Sequence, residues 1–219
     1  MAISAPSIAR LKQYLLFSSC WLLLAACRQQ EAKVPYYADA RFTPIWQLQP
    51  GQADTLHRVG AFSFTDQHNR PVTEQDVAGK ICLSNFFFTR CAGICPRMTK
   101  NMLLVATHFS ADKRVVLLSH SVTPAQDSVA QLQAYARRNG INSPQWHLLT
   151  GPAGAINHMA RKAYYVEEEE GLYTDSTQFL HTEHMVLTDG AGHIRGLYNG
   201  TQALEMTRII ADIAALLQE

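Results

Sequence analysis

Three shortages narrow what this 219-residue chain can be: it has no apolar run long enough to cross a membrane, almost no net charge, and few cysteines. Its one strongly apolar stretch, Leu15-Leu16-Phe17 through Trp21-Leu22-Leu23-Leu24, has a centre of about ten residues, whereas a spanning helix needs roughly 20. Arg10 and Lys12 precede that stretch and Ala25-Ala26 follow it, the order of an export signal that is cleaved. Of the 19 basic residues, Arg10 and Lys12 leave with the signal, so 17 stand against 18 acidic ones and a nucleic-acid-binding role is excluded. Of the five cysteines, Cys20 also leaves and Cys27 stands at the cut, which leaves Cys82, Cys91 and Cys95. One pair and one spare thiol is no disulfide scaffold, so an exported protein of this size rests on a hydrophobic core.

What is present concentrates in the segment Phe86-Phe87-Phe88-Thr89-Arg90-Cys91-Ala92-Gly93-Ile94-Cys95-Pro96. Residues 81–88 are apolar and rich in aromatics, bounded by Gly79-Lys80 and Thr89-Arg90, which predicts a fully buried strand. Pro96 suits the first turn of a helix, and Met98, Met102, Leu103, Val105 and Ala106 give that helix an apolar face. Two thiols are therefore delivered to a strand-to-helix junction. At a helix N-terminus the dipole and unpaired N–H groups favour thiolate, and Arg90 and Arg97 add positive charge. Both cysteines are candidates for low-pKa, reactive or metal-binding sulfurs, with Cys95 nearest the helix start. Cys82, inside the strand, reads as a small core residue.

The remaining pattern divides the chain into a signal over 1–26, an irregular arm over 27–52 and one domain over 53–219. Leu24-Ala25-Ala26-Cys27 resembles the lipobox of bacterial lipoproteins, which implies that Cys27 is lipid-modified after cleavage and that the protein is exported and membrane-anchored, facing the periplasm or cell exterior. Residues 62–72 alternate and turn at Asp66-Gln67-His68-Asn69, a hairpin. Residues 114–119 form a buried strand, 125–138 a helix ended by Gly140, 146–149 a short strand and 153–164 a third helix. Residues 185–187 and 194–198 flank Asp189-Gly190-Ala191-Gly192 as a second hairpin, and 202–217 closes the chain as an amphipathic helix. The acidic run 167–170 reads as a solvated loop. This order predicts an α/β, thioredoxin-like fold, a mixed sheet covered by helices on both faces with an N-terminal hairpin.

With those residues assembled, the sequence resembles the Sco (SenC) copper proteins, which are thioredoxin-like, membrane-tethered and implicated in building the copper site of cytochrome c oxidase. The resemblance rests on the Phe86 to Pro96 segment, on Leu118-Ser119-His120-Ser121-Val122-Thr123-Pro124 with Asp127, on Trp146-His147-Leu148-Leu149-Thr150-Gly151, and on His181-Thr182 before Met185-Val186-Leu187. Thr123 departs from it, standing where many members carry Asp. The resemblance implies copper held by Cys91, Cys95 and His181, with His184 the rival for third ligand. In an extended segment, positions three apart face opposite sides, so at most one of the two histidines points at the cysteines. His120, after a strand end, reads as an ordinary hydrogen-bonded histidine, with a supporting role near the site as the rival. His57, His68, His108, His147, His158 and His193 show no ligand spacing.

Two thiolates and an imidazole make a soft, low-coordinate site suited to trigonal Cu(I), and to Cu(II) when an oxygen ligand or water joins. Zinc accepts the same ligands with water in the fourth position, so the ligand set alone does not separate the metals. The implied function is copper delivery to the oxidase copper-site subunit or another copper protein. An enzyme of a second class, a thiol-disulfide oxidoreductase reducing the cysteines of that copper site through Cys91 and Cys95, also fits. Three intervening residues differ from the usual two of a redox motif but still allow a disulfide. A peroxiredoxin fits poorly, since its nucleophile needs no second cysteine four positions later.

Overall fold

The structure, a computed structural model, describes residues 33–166 and 182–219; the signal, Cys27, the acidic run 167–170 and His181 lie outside the described residues. A hairpin comes first, β1 (Ser63–Thr65) paired antiparallel with β2 (Pro71–Thr73), Phe64 facing Val72. Its turn is closed by the buried Asp66 carboxylate, which accepts from the N–H groups of His68 and Arg70 at 2.8 and 3.0 Å. A one-turn helix α1 (Glu74–Val77), opened by a Thr73/Asp76 capping box, then leads into β3 (Ile81–Phe87).

All seven residues of β3 are buried, which makes it the centre of a five-stranded sheet of order β5-β4-β3-β6-β7. Strands β4 (Val115–Ser121) and β5 (Trp146–Leu149) run parallel to it, and each parallel step needs a crossover. Helices α2 (Cys95–His108) and α3 (Val129–Asn139) supply these. On the other side β6 (His184–Thr188) pairs antiparallel with β3, and β7 (Ile194–Asn199) antiparallel with β6. Helix α4 (Ala153–His158) continues into a π turn, Met159–Ala163, and α5 (Ala203–Leu216) ends the chain.

Alternation along the strands divides the interior into two cores. Leu83 and Phe87 of β3 meet α2, α3 and α5 through Met98, Met102, Leu132, Ile209 and Ile213. Cys82 and Phe86 point the other way, onto Phe62, Phe64, Ile156 and Tyr164. A mixed sheet covered on both faces is the expected thioredoxin-like architecture. Among the described residues no helix is long and apolar enough to cross a membrane.

Three boundaries differ from expectation. The helix expected over 125–138 starts at Val129, because the Thr123–Asp127 segment forms its own turn and Ser128 caps Gln131 at 3.4 Å. The helix expected over 153–164 changes to π geometry at Met159. The arm expected over 27–52 belongs, from Lys33 onward, to the same compact unit as the domain. The cause is Arg195 on β7, whose buried guanidinium donates to the carbonyls of Val34 and Pro35 at 2.7 and 3.2 Å and lies 3.8 Å over the Tyr36 ring. A short backbone bridge from Tyr37 to Ile194 and the burial of Val34 complete the attachment.

Candidate metal and thiol site

Strand β3 ends in a tight turn that carries the first thiol. The N–H of Cys91 donates to the carbonyl of Phe88 at 3.2 Å, so residues 88–91 form a turn at the C-terminal end of this central strand. Helix α2 then starts at Cys95 with Pro96 in its first turn, and the N–H groups of Arg97 and Met98 both donate to Ile94 at 3.0 Å. Both cysteines are free thiols, Cys91 partly exposed and Cys95 buried, and each side chain lies near enough to shift the ionisation of the other. Residues 77–111 contain no Asp or Glu, and Arg90, Arg97 and Lys100 are exposed around the site.

The two sulfurs are not equivalent. Burial works against ionising Cys91, but the Cys95 thiol and the N–H groups of Cys95, Gly93 and Ile94 outweigh it and hold Cys91 below the ordinary thiol value. Burial, then the adjacent Cys91 sulfur, push Cys95 up to about 12. Of the two sulfurs expected to gain from the helix start, Cys91 does, and the expectation is corrected for Cys95. The Cys91 side chain folds back over the free amides, whereas Cys95 points into the core between sheet and helix.

Two further groups connect to the segment that carries the pair. Tyr135 on α3 packs its ring 5.2 Å from Phe87 and shares a 2.7 Å hydrogen bond with Thr99, and burial raises its phenol to about 12 against the lowering effect of that bond. Cys95 and Cys91 both add to that rise, which places the phenol within electrostatic reach of the pair. Read from the sequence, Tyr135 is only one apolar position of a helix; its spacing there carries no signal of the thiols. Asp127, just before α3, binds Thr89 in the turn leading to Cys91.

The other candidates lie elsewhere. Cys82 is in the opposite core, where burial pushes its thiol up to about 12. His120 is also there, stacked on Phe86 at 5.1 Å, with no hydrogen-bond partner on either ring nitrogen among the described residues; the ordinary hydrogen-bonded histidine expected there is corrected to an unpaired one. Its position on β4 is on the face away from Cys95. His184 opens β6 with the parity of Val186, in the second core, while Met185 and Leu187 join the core that contains Cys95. His57, His147 and His193 are engaged with the Ala163 carbonyl, Asp66 and Asp189. Among the described residues no three His, Cys, Asp or Glu side chains gather as a metal site, and His181 is not among them.

Residues 50–218 match the SCO1/SenC family model along their whole length. The chain belongs to the SCO1/SenC family. A SCO1/SenC family lipoprotein from Bacillus anthracis is 28% identical, with a TM-score of 0.63 over 74% of this chain and 95% of that one. BsSco, described as a member of the Sco family of cytochrome c oxidase assembly proteins with a disulfide switch, is 29% identical, with a TM-score of 0.62 over 73% and 93%. Bradyrhizobium japonicum ScoI, solved with copper bound, is 26% identical, with a TM-score of 0.50 over 68% and 97%. In this SCO1/SenC chain the match begins at residue 50, whereas the compact unit begins at Lys33, so the arm held by Arg195 lies outside the matched region.

Proposed function

We propose that the chain is a copper chaperone that binds one copper ion through Cys91, Cys95 and His181 and delivers it during assembly of the copper site of cytochrome c oxidase. The observation that carries this reading is the pair of neighbouring free thiols where the β3 turn meets the start of α2, in a family with a copper-bound member and a member described as an oxidase assembly protein. Two thiols that shift one another's ionisation are near enough to be drawn onto one ion. Soft thiolates favour Cu(I), and an imidazole with an oxygen ligand accommodates Cu(II). Cys91, the more easily ionised of the two, receives the ion first; Cys95 must lose its proton on binding, so uptake at neutral pH releases protons. The parity of His184, on the Val186 face, supports His181 as the third ligand. Cys27 anchors the exported protein through lipid, a reading supported by the export signal and by the Bacillus anthracis lipoprotein.

The inequality of the thiols favours a second reading, a thiol-disulfide oxidoreductase acting on the cysteines of the oxidase copper site. A partly exposed, ionisable Cys91 attacks and a buried Cys95 resolves: the target disulfide becomes two thiols and the Cys91–Cys95 disulfide forms. Copper added to the reduced protein separates the two. In the chaperone reading, thiolate-to-copper charge-transfer bands form; Cys91→Ser and Cys95→Ser lose most affinity; His181→Ala weakens Cu(II) more than Cu(I); and His184→Ala leaves binding alone. Oxidase assembly in cells decides the role. Failure of His181→Ala at normal protein level and normal disulfide exchange establishes metal delivery, and normal assembly with that variant transfers the case to the reductase.

A further inference from the structure

The buried carboxylate of Asp127 has four donors converging on its two oxygens, and two of the four come from one residue of the thiol turn. Thr89 gives its hydroxyl to Oδ1 at 2.6 Å and its N–H to Oδ2 at 3.1 Å. Ser121, the last residue of β4, donates to Oδ2 at 2.6 Å, and Thr123 donates to the same oxygen at 2.9 Å. Asp127 is held in turn by its own N–H on the Thr123 carbonyl at 2.9 Å, and the N–H of Val122 reaches the Phe87 carbonyl at 2.9 Å. All four residues are buried, so these bonds face no competition from water.

Thr89 is the second residue of the Phe88–Cys91 turn, two residues before the sulfur-bearing position. Fixing both its N–H and its hydroxyl fixes the direction in which the turn presents Cys91. The opposite end of the site needs no such device, because Cys95 is built into α2 and buried in the core. The separation of the two sulfurs is therefore set on one side by a helix and on the other by a single carboxylate.

We propose that Asp127 is the positioning residue of the thiol pair, acting through Thr89 to place Cys91 opposite Cys95. It rests on the Cys91/Cys95 reading above, yet concerns how far apart the sulfurs stand, whichever ion or partner they meet.

Equilibration of the reduced protein with glutathione disulfide tests this without metal. One glutathione disulfide is reduced to two glutathione thiols as the Cys91–Cys95 disulfide forms, and the equilibrium constant reports sulfur placement. Thr89→Val removes the hydroxyl bond and keeps shape and the N–H bond; Ser121→Ala removes another hydroxyl from the same carboxylate without touching the turn. The expected result is a shift of about tenfold for Thr89→Val, the scale of one buried bond to a charged group, and of less than about twofold for Ser121→Ala. Thr89→Ser restores the wild-type constant, and Asp127→Asn shifts it in the same direction as Thr89→Val. An unchanged constant in Thr89→Val, or an equal shift in Ser121→Ala, overturns the proposal. Copper bands measured on the wild type in parallel keep the two ideas apart: their absence removes the chaperone reading and leaves the exchange result standing.

Discussion

His120 should make the protein acid-labile through one side chain. The ring is wholly buried among Phe62, Phe64, Phe86 and Tyr164, and neither nitrogen has a partner among the described residues. Burial alone lowers its pKa from 6.5 to about 3, because the charged form has nothing there to replace water. The unfolded chain binds a proton below pH 6.5 and the folded chain does not until about pH 3, so stability falls as pH falls through that window. At about 1.4 kcal/mol per pH unit, the step from pH 7 to pH 5 removes about 2 kcal/mol. Replacing His120 with Leu abolishes only this contribution and leaves the His147–Asp66 contact in place. Urea unfolding of both proteins at pH 7 and pH 5 should show the wild type losing about 2 kcal/mol more than His120→Leu. Parallel losses in the two proteins would refute the reasoning, as would a measured His120 pKa near 6.

Arg195→Met should cost about 3 kcal/mol, at the low end for a broken buried ion pair, since Glu219 is 45% exposed and rehydrates. Hydrogen exchange at the Tyr36 and Tyr37 amides should rise in that variant; unchanged protection there would show that Arg195 does not hold the arm. Cys82→Ser should lower stability by about 1–2 kcal/mol through a buried hydroxyl and leave copper stoichiometry as it was, and loss of copper with the fold intact would move the site. Cys27→Ser should release the processed protein from the membrane, because among the described residues no helix is long and apolar enough to cross it; full membrane retention with the signal removed would contradict the lipid anchor.

The elements nearest the thiols were legible because they are short-range. An apolar run between Gly79-Lys80 and Thr89-Arg90 has few alternatives to a buried strand, and Pro96 marks the helix start by its missing N–H. The start of α3 was misplaced because helical spacing does not reveal that Asp127 is already engaged by Thr89, a residue 38 positions earlier. The packed arm was hidden for the same reason, its anchor being Arg195, 161 residues after Val34. The inequality of Cys91 and Cys95 depends on which sulfur turns back over the helix amides. Both stand at the same junction in the sequence, and only side-chain direction distinguishes them.

Register is the deeper problem that the central strands had to solve. β3 and β4 are buried on both faces, so hydrophobic alternation cannot say which residues point toward the thiols, and a slip by one residue would exchange the faces. Polar side chains fix it instead. Ser119 stands opposite Asn85 and donates to its Oδ1 at 2.6 Å, while Trp146 of β5 donates to the same hydroxyl at 2.9 Å, which ties three strands together. Two residues further along the same face, Ser121 meets Asp127 and, through it, the turn of Cys91. Between them His120 points to the aromatic core, with no partner for its nitrogens among the described residues. A slip would bury Ser121 among those rings and turn His120 toward Asp127, losing at once the bonds that set the register and those that place the thiol. The same alternation that leaves His120 without a partner among the described residues on one face therefore aligns the polar groups leading to Cys91 on the other.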